Sequence, residues 1–234
     1  MAEEQGGLAR LDVGEDRPLP TIQAVPAWLQ LGVIVSDGSL SMTEELPQAD
    51  ESLGVRSQTK AEATDAATSH FLDRMQASDN KRQFSLAWIS FNSVVTDTEG
   101  PTEVDTLSKR TSFDPTANGT GGTSIGSALE AAAGLVEAWR AKPRYEGVPM
   151  SAVVVLMTDG EDGDVQRTIK AAQRVIQLPN TRLAACFFAT KGRPSPGADF
   201  LRQIVSPPVG QNFKQVYDGE ALRDFFHASV SAVG

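Results

Sequence analysis

Apolar positions along the chain fall into two alternating rhythms. Short runs rich in β-branched and aromatic residues at 29–36, 84–91, 153–157, 183–189 and 213–217 predict buried strands. Between them, apolar residues recur at helical spacing. Ala63, Ala67, Phe71 and Met75 form one stripe, and Ile125, Leu129, Ala132, Val136 and Trp139 a second. Val165, Ile169, Ala172 and Ile176 form a third, with Asp164 placed to cap it. A short helix is expected around Phe200, Leu201 and Ile204. A terminal helix is expected to turn Leu222, Phe225, Phe226 and Val230 inward, with Asp218 as its cap. Asn92-Ser-Val-Val-Thr96 follows the second strand too closely for a helical crossover, which predicts a hairpin and one antiparallel edge strand. Residues 97–122 have weak periodicity and contain Pro101, Pro115 and Gly119. They read as a long ordered excursion, with room for one short helix, that arrives at Thr123.

Strands alternating with helices predict an α/β fold: a doubly wound, mostly parallel six-stranded sheet with one antiparallel edge strand and helices on both faces. In the winding order 3-2-1-4-5-6, strands one and four are neighbours where the connections reverse, and ligands bind in the crevice there. The first strand ends in Asp37 and the fourth in Asp159, so two acids distant in sequence are expected side by side. Residues 1–24 are acidic, Gly- and Pro-containing and without a period, and read as a tail. Residues 25–234 then make one domain, an ordinary size for a chain of 234 residues.

A formal charge of -9 argues against nucleic acid as a partner and disfavours adsorption to anionic membranes. The single cysteine, Cys186, lies in an apolar run and reads as a core thiol. Met-Ala-Glu-Glu-Gln-Gly-Gly at the start has neither a basic n-region nor an apolar h-region, and no apolar run is long enough for a bilayer. A cytoplasmic protein, monomeric on its own, is the expectation.

Three stretches carry candidate chemistry. Asp37-Gly-Ser39-Leu-Ser41 leaves the first strand with three oxygen-bearing side chains in alternation. A curving loop would turn them toward one point, as a hard cation such as Mg²⁺ requires. Alone, the triplet reads equally well as a strand-end turn bonded to nearby backbone. Gly121-Gly-Thr123 opens the second long helix, and Thr158-Asp159-Gly160 ends the fourth main strand. All three in this order, at these boundaries, are much harder to obtain by accident.

Asp-x-Ser-x-Ser, then Gly-Gly-Thr opening a helix, then Thr-Asp-Gly after an apolar strand, resembles the metal-ion-dependent adhesion site of von Willebrand factor A domains. The resemblance runs from about Trp28 to the last helix. Thr111-Ser-Phe-Asp-Pro, Arg144-Tyr-Glu-Gly and Glu220-Ala-Leu-Arg-Asp-Phe-Phe are similar to the compact TerY-like bacterial members of tellurium-resistance clusters. One departure is Leu40, where the family often has Gly or another small residue. It would stiffen the loop or set an apolar side chain at its rim.

The resemblance implies a metal held by Asp37, Ser39, Ser41, Thr123 and Asp159. Ser39 and Ser41 would bind it directly, Thr123 directly or through water, and Asp37 and Asp159 largely through water. It implies Mg²⁺, with Mn²⁺ or Ca²⁺ as alternatives, and a vacant position for a Glu or Asp carboxylate of a protein partner. Its TerY-like part implies partners in a bacterial stress-response cluster, among them a kinase or a metal-dependent Ser/Thr phosphatase. Two other functions stay open: a Mg²⁺-dependent phosphohydrolase and an adaptor with a vestigial site. The phosphohydrolase reading lacks the Asp-x-Asp expected after the first strand, and no phosphate-binding glycine motif is present. Glu161, Asp162 and Asp164 suit a helix-capping loop better than a second cation site. His70, a lone helical histidine, reads as packing or surface.

Overall fold

The computed structural model describes residues 27–46, 58–108, 112–143, 146–189 and 195–231. The expected tail over 1–24 and parts of the Thr111 and Arg144 stretches lie outside the described residues.

Six strands form one sheet: β1 (Leu29–Asp37), β2 (Phe84–Phe91), β3 (Val95–Glu103), β4 (Met150–Thr158), β5 (Thr181–Phe188) and β6 (Phe213–Val216). Their order is β3-β2-β1-β4-β5-β6, parallel throughout except for β2 with β3. The long helices are α1 (Lys60–Ala77), α2 (Ile125–Arg140), α3 (Val165–Gln177) and α6 (Gly219–Ser231), with the shorter α4 (Pro196–Ile204) and α5 (Val209–Asn212).

The central strands are apolar at nearly every position because both of their faces are covered. Val154 and Leu156 of β4 pack with Leu183 and Ala185 of β5 in the core that α2, α3 and α4 close. Val153, Val155 and Met157 face the opposite way, with Ala184 and Cys186, into the core closed by α1 and α6. In β1 that second face holds Gly32, whose missing Cβ would come within 2.9 Å of Leu86 Cδ2. The parallel register puts the carboxyl ends of β1 and β4 level. Ser36 pairs with Met157, so Asp37 and Thr158, one residue further along each strand, end side by side.

Helix starts follow local chemistry. Thr59 and Glu62 form a reciprocal capping box at α1. Asp164 accepts from Arg167 N at 3.0 Å and Asp218 from Ala221 N at 2.8 Å, as expected for caps.

Two elements differ from the sequence reading. The edge strand β3 runs to Glu103, so 97–103 belong to the hairpin and not to the excursion. Its middle is exposed and its pairing shifts twice against β2, which erases the apolar alternation that marks a strand. Among the described residues of 104–122 there are turns and no helix. The other difference is α5, a single turn too short to carry a period.

Candidate metal centre

β1 delivers Asp37 to the top of the sheet fully buried. The chain then leaves through Gly38, whose N–H donates to Phe91 O at 2.6 Å. A Cβ on Gly38 would sit 2.2 Å from the Pro115 carbonyl oxygen, so the backbone of the excursion packs directly on this loop. A 3₁₀ turn follows (Leu40–Thr43), closed by Met42 N donating to Ser39 O at 3.1 Å. The turn swings Ser39 and Ser41 to the same side, with their hydroxyl oxygens 3.1 Å apart. Leu40 between them points outward, 65% exposed, so it stands at the rim.

The end of β4 meets this loop. Thr158 donates its hydroxyl to Asp37 Oδ2, and Ser39 N donates to Asp37 Oδ1 at 2.8 Å. Ser41 Oγ donates to Asp159 Oδ1 at 2.7 Å. Ser39, Ser41 and Asp159 thus form one hydrogen-bonded chain, and Asp37 is joined to it through the backbone of Ser39.

Thr123 arrives on a loop tied to the end of β2. Gly122 N donates to Ser93 Oγ at 2.9 Å, Ser124 N to Asn92 O at 2.8 Å, and Leu40 N to Gly121 O at 3.1 Å. Thr123 Oγ1 lies against Gly160, where a Cβ would be 2.7 Å from it. All five candidate side chains therefore gather at one end of the β1–β4 boundary.

Burial pushes the Asp37 carboxyl up to about 6. The bonds from Thr158 and Ser39 pull it back only in part, and the charge of Asp159 adds to the rise. A cation is close by. Lys60, the first residue of α1, donates to Asp159 Oδ2 at 2.6 Å, Glu44 Oε2 at 2.8 Å and Ser41 O at 3.2 Å. Burial alone would lower the Lys60 ammonium, but the bonds and charges of Asp159 and Glu44 override it and hold it above its ordinary value.

The donor set is hydroxyl and carboxylate oxygen, the chemistry that a hard divalent cation takes. Asp37 is a buried acid with no ion pair among the described residues, so its negative charge lacks there the cation that a buried carboxylate needs. Among the described residues, no group of three or more His, Cys, Asp or Glu side chains gathers to hold a metal. The cluster here is instead built from two hydroxyls and one acid, Ser39, Ser41 and Asp159, beside Asp37. Asp162, in the acidic loop after β4, is engaged elsewhere: Oδ2 accepts from Gly126 N at 2.9 Å and from the Thr168 hydroxyl, and Oδ1 from Asp164 N at 2.7 Å.

Sequence reasoning passed over Thr158, Glu44 and Lys60. Thr158 enters only as the first residue of the Thr-Asp-Gly stretch, with no role of its own, and Glu44 belongs to none of the three candidate stretches. Lys60 offered one faint signal: a cation in the first turn of a helix opposes the macrodipole and needs an acid to hold it there.

By sequence, the model of the von Willebrand factor type A domain matches residues 33–228. No curated protein matches the chain. Solved structures similar to it include the pilus adhesin SpaC from Lactobacillus rhamnosus GG, at 13% identity and a TM-score of 0.61 over 89% of this chain and 30% of that one. A von Willebrand factor type A protein from Catenulispora acidiphila aligns at 19% identity and a TM-score of 0.57, over 88% and 43%. Proximal thread matrix protein 1 from the mussel byssus, solved with a zinc-occupied MIDAS motif, aligns at 16% identity and 0.53, over 87% and 45%. The chain spans less than half the length of each of these three proteins. At these identities the likeness is one of fold.

Proposed function

The chain belongs to the von Willebrand factor type A domain family, and from that premise we propose that it is a divalent-metal-dependent protein-interaction module. In this reading Ser39, Ser41 and Thr123 offer hydroxyl oxygens to the ion, while Asp37 and Asp159 hold waters and hydroxyls in place around it. The observation that carries it is the hydrogen-bonded cluster of Ser39, Ser41 and Asp159 beside Asp37, a buried carboxylate without a cation. The zinc-occupied motif of the byssus protein supports a divalent ion in such a cluster. Mg²⁺ is the proposed occupant, because hydroxyls and carboxylates are hard donors, with Mn²⁺ and Ca²⁺ as substitutes. The bound ion supplies an electrophilic position that a partner's Glu or Asp carboxylate fills.

Binding without turnover is the proposed output. Both carboxylate oxygens of Asp37 already accept hydrogen bonds, from Ser39 N and from Thr158, which suits a positioning acid better than a nucleophile. No described helix is long and apolar enough to cross a membrane. A cytoplasmic setting, with kinase or Ser/Thr phosphatase partners of a tellurium-resistance-like system, is the finer proposal. It rests on the TerY-like stretches alone.

Calorimetry with Mg²⁺ and Mn²⁺ tests the core of the reading. Wild-type protein should bind one ion, and Ser39→Ala and Thr123→Ala should each weaken it. Absence of binding, or binding that neither variant changes, would overturn the metal site. Turnover of phosphoesters with Mg²⁺ that Asp37→Ala abolishes would replace the binding module with an enzyme.

A further inference from the structure

We propose that Lys60 is a resident counter-cation of this centre, one that works against any divalent ion entering it and so lowers the affinity of the site. The inference rests on the metal-binding reading above and adds the residue that sets its strength.

The geometry is complete around the ammonium. Its three N–H donors have three acceptors, Asp159 Oδ2, Glu44 Oε2 and the Ser41 carbonyl. The Lys60 side chain is 10% exposed and that of Asp159 2%, so the pair has little solvent to screen it. The other oxygen of Asp159 accepts from Ser41. An ion entering among the hydroxyls of Ser39 and Ser41 therefore finds Asp159 already neutralised on its far side, and Asp37 as the acid without a cation. A protonated amine has no lone pair to offer a metal, so Lys60 cannot be a ligand. All three of its N–H donors are taken up by oxygen acceptors, the arrangement an ammonium makes.

Backbone pairing aims the side chain. Lys60 N donates to Glu44 O at 3.1 Å and Leu46 N to Gln58 O at 2.8 Å, with a bridge between Glu45 and Thr59. This short ladder fixes the start of α1 beside the 3₁₀ turn that carries Ser41. The lysine occupies a helix N-terminus, where the macrodipole repels cations. Its place is explained by the two acids that bind it and not by helix stability.

Two like charges a few ångströms apart in a poorly screened site repel strongly enough to move an affinity by an order of magnitude. The experiment is Mn²⁺ calorimetry on the full chain, comparing wild type, Lys60→Met, Lys60→Gln and Lys60→Arg, with Ser39→Ala as the site control. Both neutral variants should bind Mn²⁺ roughly tenfold more tightly or better, and Lys60→Arg should stay near wild type. The gain should be larger for trivalent Tb³⁺ than for Mn²⁺, because the repulsion scales with the ion's charge. Melting in EDTA should show each neutral variant folded but less stable than wild type, since Asp159 loses its partner.

Neutral variants that bind Mn²⁺ as weakly as wild type or more weakly would overturn the proposal. A Lys60→Arg gain equal to that of Lys60→Met would overturn it too, since charge would then not be the cause. In either case, wild-type binding lost in Ser39→Ala leaves the metal site standing. If neither wild type nor the neutral variants bind Mn²⁺, both readings fall. If only the neutral variants bind, the metal-binding reading of the native chain falls, while the lysine is shown to keep the ion out.

Discussion

The Thr158 hydroxyl donates to a carboxylate oxygen of Asp37 across the boundary between β4 and β1. The two residues are level because the parallel register pairs Ser36 with Met157. Among the hydrogen bonds to Asp37, this one does most to oppose the rise in its carboxyl caused by burial. Thr158→Val keeps the shape and removes the donor, leaving a buried carboxylate oxygen unpaired. Urea unfolding in EDTA should show a loss of about 1–3 kcal/mol. A loss no larger than that of an exposed Thr→Val change would mean that the bond does not hold Asp37.

Gly160 separates Asp159 from Thr123. A methyl there would approach Thr123 Oγ1 to 2.7 Å, so Gly160→Ala should push Thr123 away from the hydroxyl cluster. Mn²⁺ affinity should fall about tenfold, the scale seen when a residue supporting a ligand is altered. The melting temperature in EDTA should change little, because one side chain at the rim of the crevice can shift. Unchanged affinity would remove Thr123 from the site.

The rings of His70 and His227 stand 6.2 Å apart, edge to face, where α1 meets α6, and Phe71 lies against His227 as well. Burial, Arg74 and His70 hold the His227 imidazole below its ordinary 6.5, and Asp224 opposes them. The unfolded chain then binds more protons than the folded one as pH falls. The stability tied to a neutral His227 is full above about 6.5 and is lost as pH drops through the lower folded value. Urea midpoints of wild type and His227→Gln should therefore converge or cross between pH 7.5 and acid. A difference independent of pH would show that His227 does not titrate as described.

Cys186 is fully buried in β5, and burial pushes its thiol far above its ordinary range. A thiol that stays protonated and out of reach is a poor nucleophile. Native protein should leave a disulfide reagent uncoloured for as long as it stays folded, and urea should release one equivalent of thiol. Rapid labelling without denaturant would require local opening at the centre of the sheet.

Much of this architecture was readable before any coordinates. The apolar runs of β1, β4 and β5 follow from burial on two faces, and alternation with helical stripes implies the winding that sets β1 beside β4. That adjacency brings Asp37 and Asp159 together. The edge strand β3 was only half legible, since Glu99, Gly100 and their neighbours are exposed and obey no period. Lys60 was barely legible, through its place in the first turn of a helix alone, because its contacts are with two acids on other elements, Glu44 and Asp159, and pairwise contacts between distant side chains leave no trace in spacing. The close approach of Pro115 to Gly38 was hidden for the same reason: a glycine before a hydroxyl pair looks like an ordinary turn until something is seen leaning on it.

Asp162 fastens the first turn of α2, through Gly126 N, to the start of α3, through the Thr168 hydroxyl and Asp164 N. Thr123 lies three residues upstream of one anchor, and Asp159 three residues upstream of Asp162 itself. The two walls of the crevice are thereby yoked. One carboxylate thus serves as a common tie for the stretches that lead from Thr123 and from Asp159.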